Sequence, residues 1–282
     1  MGNKINNNAN QPMFKYLRIE TTTYCNAVCW FCPNSEIATI RMTDKMLYGI
    51  VDSTRGLNVV YRPVGLGEPF GDSRMVTLCK YIKEDSTAKI EIHTNGELVT
   101  EKVMENVKDY VDVIRFSIDG FKKETFDVSR GIDFDIVNAN AKSFLENAPN
   151  VEVQVRMINL PGTEDEQQDF LDYWNGIRKG CALITELYNH PWETQTESLN
   201  LPCKKVYDEA FIYAKGSVHL CPWDFYSKSV IGNVNDDSIV NIWNGYLYNK
   251  YRKLLAEGKR DQIELCSRCD AVFPSTYKEY MQ

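Results

Sequence analysis

Between Tyr16 and Tyr188, short runs rich in β-branched and aromatic residues alternate with longer stretches whose apolar positions recur at helical spacing. The runs predict strands over Tyr16–Thr22, Leu57–Val64, Lys89–Thr94, Val111–Ser117, Val151–Asn159 and Ala182–Tyr188. The stretches between them predict helices near Thr43–Ser53, Ser73–Ile82, Thr100–Val107, Ile136–Glu146 and Glu164–Ile177. Six such alternations imply an α/β fold with a parallel sheet and right-handed crossovers, open or partly closed into a barrel. Within the strands, Val153, Val155 and Met157 alternate with Glu152, Gln154 and Arg156, and Arg115, Ser117 and Asp119 share one face. Buried parallel strands are normally apolar on both sides. A polar face marks either a solvated edge or a wet lumen, and its presence on two strands points to a lumen.

After His190 the pattern changes. Asn189–Pro202 reads as a linker, Phe211–His219 as a hairpin turning at Lys215-Gly216, and Ser238–Glu257 as one long helix capped by Asp237 or Ser238. Cys266–Asp270 forms a short cysteine loop, and residues 1–13, polar and Asn-rich, read as a disordered lead-in. The expected domains are 14–190 and 191–282.

Composition changes this picture little: 43% hydrophobic and 25% charged residues are usual for a globular chain. No apolar run approaches the roughly 20 residues of a membrane helix. A net charge of −7 disfavours nucleic acid as a partner. The start lacks the plan of a signal peptide, so a reducing, cytoplasmic setting is expected. There, nine cysteines are better read as thiols or metal ligands than as disulfides.

Cys25, Cys29 and Cys32 form a C-x3-C-x2-C run just after the first strand, where the loops of a β/α fold build sites. Three thiolates on one loop can hold three irons of a cubane cluster and leave the fourth iron open. Zinc is the weaker alternative, since no histidine lies nearby. Cys203, Cys221, Cys266 and Cys269 could fully ligate a second 4Fe–4S cluster or a structural zinc, although only Cys266 and Cys269 make a close pair. Cys79 lies on an apolar helical face and reads as packing; Cys181, opening the sixth strand, reads as a structural thiol or a hydrogen-atom donor.

With Phe31 in its aromatic position, the first run resembles the signature of the radical SAM (S-adenosylmethionine) superfamily. The resemblance extends over Phe14–Tyr188, through Gly67-Glu68-Pro69 after the second strand, Thr94-Asn95-Gly96 after the third and Ser117-Ile118-Asp119-Gly120 after the fourth. It implies a partial (β/α)6 barrel holding a 4Fe–4S cluster and S-adenosylmethionine. It further implies that Gly67 and Glu68 hold the cofactor's ammonium, and that Asn95, Ser117 and Asp119 bind its ribose or carboxylate, with Arg130 or Arg156 gripping the carboxylate. The segment from Cys203 through Gly216, Cys221, Val230–Val234 and Ser238–Asn244 resembles the SPASM/twitch extension of that superfamily. Four cysteines fit the shorter twitch form, a small α+β domain with one auxiliary cluster.

The spacing resembles that of twitch dehydrogenases that oxidise an aminocyclitol hydroxyl to a ketone, and of related carbohydrate epimerases. The expected substrate is therefore a small, hydroxyl-rich molecule, and the expected partner an external one-electron reductant such as flavodoxin or ferredoxin. Glu186, Arg156 and Asp224 are candidate bases, and Trp223 and Asp224 are expected near a cavity between the clusters. Epimerisation would use Cys181 as hydrogen donor. A peptide-modifying enzyme and a non-catalytic electron carrier remain as alternatives; the first strand begins too near the start to leave room for a leader-recognition domain, and a carrier would need no cofactor loops.

Overall fold

The computed structural model describes residues 13–187 and 203–269. The expected lead-in over residues 1–12, the linker over 189–202 and Asp270 lie outside the described residues. The barrel strands are β1 (Tyr16–Ile19), β2 (Val60–Arg62), β3 (Lys89–Thr94), β4 (Val113–Ser117), β5 (Glu152–Asn159) and β6 (Ala182–Glu186). Each pairs in parallel with the next, giving an open curved sheet in which Leu17 faces Tyr61, Ile92 faces Ile114 and Val155 faces Ala182. The partial barrel expected from the alternation is the architecture observed.

Helices α1 (Asp44–Asp52), α2 (Met75–Ile82), α3 (Glu101–Val107), α4 (Lys123–Arg130), α5 (Phe134–Asn147) and α6 (Gln167–Ile177) make the crossovers. Thr43 and Thr100 cap α1 and α3 by accepting the amides of Met46 and Val103, both at 3.3 Å. Helix α4 was not foreseen, because Phe126 is its one buried large apolar residue and the repeat is too sparse to show. It ends where Gly131 takes a left-handed conformation, φ 66°.

The polar strand faces meet in an ion-pair network within the curve of the sheet, and only their last residues, among them Ser117, Asp119 and Arg156, line a cavity. Glu91 of β3 accepts from Arg62 at 3.0 Å, lies 2.7 Å from His93 Nε2 and pairs with Arg115. Arg18 and Arg62 converge on Glu209 at 3.1 and 3.0 Å.

Beyond the barrel, the hairpin is formed by β7 (Glu209–Ile212) and β8 (Ser217–His219), and β9 (Val230–Asn233) adds a third antiparallel strand. Nothing in the residue pattern indicates that β7 pairs in parallel with β1, Tyr16 opposite Glu209, so that one nine-stranded sheet runs β6-β5-β4-β3-β2-β1-β7-β8-β9. After the short α7 (Lys205–Asp208) and this hairpin, the expected long helix is two: α8 (Ile239–Trp243) and α9 (Tyr246–Ala256). Ser238 caps the first, accepting from Asn241 N at 3.1 Å. The chain breaks at Asn244-Gly245, and the turn lets buried Trp243 pack edge-on against Phe14, ring centroids 5.4 Å apart, while Tyr248 closes at 4.7 Å.

Candidate functional site

The loop after β1 carries the first three thiols, all partly buried. Its course is fixed by its neighbours. The Glu68 amide donates to Tyr24 O at 2.8 Å, the Val28 amide to Arg130 O at 2.9 Å, and Asn34 Nδ2 to Thr23 O at 2.8 Å. A Cβ on Gly67 would stand 2.7 Å from the Tyr24 carbonyl oxygen and closer still to that of Thr22, so only glycine lets the β2 loop press against the cysteine loop. Burial pushes the Cys25 thiol up to about 11 and raises Cys29 and Cys32. Opposing this, the amides of Ala27 and Asn34 point at Cys25 and Cys32, Arg130 Nη1 lies 3.7 Å from Cys29 Sγ, and Asn95 Nδ2 lies 3.8 Å from Cys25 Sγ. Donors aimed at sulfur stabilise thiolates and tune metal clusters.

Residues expected to meet the cofactor divide into those that line the site and those that build it. Phe31, Ser117, Asp119 and Arg156 line a cavity of about 260 Å³ at the carboxyl ends of the strands, together with Cys32 and Glu186. Asn95 reaches the cysteine loop, donating to Asn26 Oδ1 at 2.9 Å. The buried carboxylate of Glu68 accepts from Thr94 Oγ1 at 2.6 Å, Asn95 N at 2.8 Å and Phe70 N at 3.2 Å. These bonds tie the β2 and β3 loops together and fix the orientation of the carboxylate. Arg130 is similarly engaged, paired with Asp119, while its Nε is buried with no partner among the described residues.

Asp224 is not in the cavity. It is fully buried, accepting from Lys228 N at 2.6 Å, Ser229 N at 2.7 Å and Ser229 Oγ at 2.8 Å, with His219 Nδ1 at 3.0 Å. Burial alone would raise its carboxyl, but these partners hold it below the usual range. It clamps the β8–β9 connection and is removed from the candidate bases. Cys181 is also displaced. It precedes β6 at the amino end, while Thr185 and Glu186 at the carboxyl end line the cavity, about 16 Å further along an extended strand. Its thiol donates to Trp174 O at 3.2 Å, and burial raises it. Glu186 stays a candidate base: it is exposed at the cavity and accepts from Asn159 Nδ2 at 3.2 Å.

The other four cysteines line a second cavity, bounded also by Trp223 and Arg260. Burial raises Cys203, Cys221 and Cys266, while the amides of Lys205 and Trp223 point at Cys203 and Cys221. Among the described residues, no three His, Cys, Asp or Glu side chains converge as one metal ion requires. The donor chemistry, the Gly67 cradle and the orphaned Arg130 Nε therefore fit an iron–sulfur cluster with an adjoining anionic ligand.

The radical SAM superfamily profile matches residues 19–173, over half the chain. The chain belongs to the radical SAM superfamily. An iron–sulfur cluster-binding domain profile, SPASM, matches residues 203–270. These matches imply 4Fe–4S and S-adenosylmethionine as cofactors and make the protein an enzyme. The S-adenosyl-L-methionine-dependent 2-deoxy-scyllo-inosamine dehydrogenase of Niallia circulans is 25% identical over 95% of this chain and 97% of its own. Crystallised BtrN, in complex with AdoMet and 2-DOIA, superposes with a TM-score of 0.68 at 20% identity, covering 93% of this chain and 95% of its own. Streptococcus suis SuiB bound to precursor peptide SuiA superposes at 0.71 with 14% identity, covering 86% and 67%. Among the described residues no helix is long and apolar enough to cross a membrane.

Two residues that tie the loops around the first cysteine run together escaped the sequence reading. Glu20, 2% exposed, accepts from Leu66 N at 2.9 Å and Ala214 N at 3.0 Å, joining the β1, β2 and β7 ends. Asn26 donates to Glu97 Oε2 at 2.7 Å. A carboxylate directly following an apolar strand was the available signal for the first; nothing marked the second.

Proposed function

We propose that this radical SAM enzyme oxidises a secondary hydroxyl of a small, hydroxyl-rich molecule, an aminocyclitol or sugar, to a ketone. The supporting observation is the cavity that extends from Cys32 and Phe31 to Trp223, which also borders the four-cysteine cavity. When bound, the open cluster with S-adenosylmethionine supplies a 5′-deoxyadenosyl radical that takes a hydrogen atom, and a second, fully ligated cluster accepts one electron. Cys25, Cys29 and Cys32 hold the first cluster and Cys203, Cys221, Cys266 and Cys269 the second. Ser117, Thr185 and Arg156 offer hydrogen bonds to substrate or cofactor hydroxyls, and Glu186 receives the hydroxyl proton. Phe31, Trp223 and Phe225 supply apolar walls that exclude water from the reacting face.

The likeness to a dehydrogenase along nearly the full length of both chains supports this reading. The placement of Cys181 argues against its use as the hydrogen donor an epimerase needs. Electrons would come from an external one-electron reductant such as flavodoxin or ferredoxin.

Anaerobic reconstitution tests the proposal. About eight irons per chain are expected for two 4Fe–4S clusters, and about four would remove the second. Reduced enzyme should convert S-adenosylmethionine to 5′-deoxyadenosine, with deuterium carried over from one carbinol position of an accepted polyol and a ketone formed in equal amount. An epimer carrying solvent hydrogen, with no ketone, would overturn the dehydrogenase reading.

A further inference from the structure

Trp223 stands on the wall of two cavities. With Cys203, Cys221, Cys266 and Cys269 it lines the four-cysteine cavity; with Phe31, Cys32, Arg156 and Glu186 it lines the cavity at the strand ends. Among the described residues that line the two, it alone is common to both. Its backbone amide points at the Cys221 sulfur.

The backbone on both sides of the ring is fixed. Tyr213 Oη donates to Pro222 O at 3.4 Å, and the Asp224 amide closes a turn onto Cys221 O at 3.2 Å. The Asp224 carboxylate takes the amides of Lys228 and Ser229, and Tyr226 Oη reaches Glu36 Oε2 at 3.1 Å, beside the first cysteine loop. The β8–β9 connection is therefore pinned at both ends, and the indole is carried on a rigid turn. Trp223 is partly buried, and a large flat ring on such a turn covers apolar surface where the two cavities meet.

The geometry points to Trp223 as the partition between the substrate cavity and the second cluster: its ring separates substrate from that cluster and shields the cluster from solvent. This rests on the dehydrogenase reading for its consequence in turnover. Oxidation of a carbinol to a ketone gives one hydrogen atom to the 5′-deoxyadenosyl radical, one proton to a base and one electron to the second cluster. The intervening ring sets how closely the substrate approaches its electron acceptor, and it keeps water from that boundary. Trp223 is therefore a positioning residue.

The test uses anaerobically reconstituted full-length enzyme carrying Trp223→Ala, Trp223→Leu or Trp223→Phe, challenged with an iron chelator and followed by iron release and by the spectrum of each cluster. Trp223→Ala should release the irons of the second cluster several-fold faster than wild type and raise that cluster's reduction potential, because solvent exposure sets both lability and potential. Trp223→Leu should fall between, and Trp223→Phe should restore protection. In turnover, ketone formed per 5′-deoxyadenosine should fall in the same order. Equal protection in Trp223→Ala and wild type, or a Trp223→Phe as leaky as Trp223→Ala, overturns the inference. If Trp223→Ala does not fold, Trp223→Leu and Trp223→Phe carry the same comparison. Wild-type enzyme that yields no ketone from any polyol sinks the dehydrogenase reading alone, because the chelator comparison still decides whether the ring shields the cluster.

Discussion

Replacing Arg130 by Met removes the cation that holds Asp119. The Asp119 side chain is 1% exposed, and its carboxylate accepts from Arg130 and, at 2.9 Å, from the Ile158 amide. The same guanidinium reaches Cys29 Sγ at 3.7 Å and lies 5.8 Å from the Phe31 ring centre. Deleting one member of a buried pair leaves the other charge uncompensated, at a cost of about 3–5 kcal/mol. A domain's whole stability is about 5–15 kcal/mol, so Arg130→Met should fold marginally and load iron poorly. Adding Asp119→Asn removes the orphaned charge and keeps an acceptor for the Ile158 amide. The double variant should therefore recover about 2 kcal/mol relative to Arg130→Met, a coupling usual for residues in direct contact. Anaerobic urea unfolding of wild type, both single variants and the double gives the cycle, with iron content measured in parallel. A loss below about 1 kcal/mol for Arg130→Met, the worth of a solvent-screened pair, would refute the reading that this ion pair is a buried support of the cysteine loop.

Gly67→Ala places a methyl against the Thr22 and Tyr24 carbonyl oxygens; overpacking of about 1–3 kcal/mol is expected, with loss of first-cluster absorbance, and normal loading would show that the loop yields. Glu209 is buried, which alone would raise its carboxyl, yet Arg18, Lys205 and Arg62 hold it well below the usual range. Its contribution is therefore complete above the unfolded value of about 4.3 and is lost as pH falls below it. Stability of wild type should drop more steeply than that of Glu209→Gln between about pH 5 and pH 3, and parallel pH–stability curves would contradict this. Cys181→Ala should keep ketone formation, measured with 5′-deoxyadenosine as reference; lost product with the radical still formed would return Cys181 to the chemistry.

The partial barrel was legible because its strands and most of its helices repeat with clean periods, and the polar inner face was legible because Arg115 and Gln154 break the apolar rule of a parallel strand. What the sequence could not display is contact between distant segments. Glu68 reads as a free carboxylate until Thr94 and Asn95 are placed beside it. Asp224 reads as a base beside a cysteine until Lys228 and Ser229 fold back onto it. Cys181 opens its strand, as read from the sequence, and that end lies opposite the one where β/α loops gather, which favours the structural thiol over the hydrogen-atom donor. The helix break falls at Asn244-Gly245, a turn-forming pair within an otherwise helical pattern, with Asn244 ending α8 and Gly245 opening α9.

The parallel pairing of β7 with β1 explains why two cysteine sets far apart in sequence border adjoining cavities. It makes β1 an interior strand, flanked by β2 and β7, so the loop that leaves β1 with Cys25 is held from both sides. Glu20 is the knot: buried, with its carboxyl raised by that burial, it takes one amide from the β2 loop and one from the hairpin. The hairpin in turn presents the connection bearing Cys221 and Trp223. A separately tethered C-terminal unit could vary its distance to the barrel, whereas one continued by main-chain pairing from Tyr16–Ile19 to Glu209–Ile212 cannot slip without inverting every side chain. The spacing between the two cysteine cavities is thus a property of strand register, and Trp223 fills the gap that this register leaves.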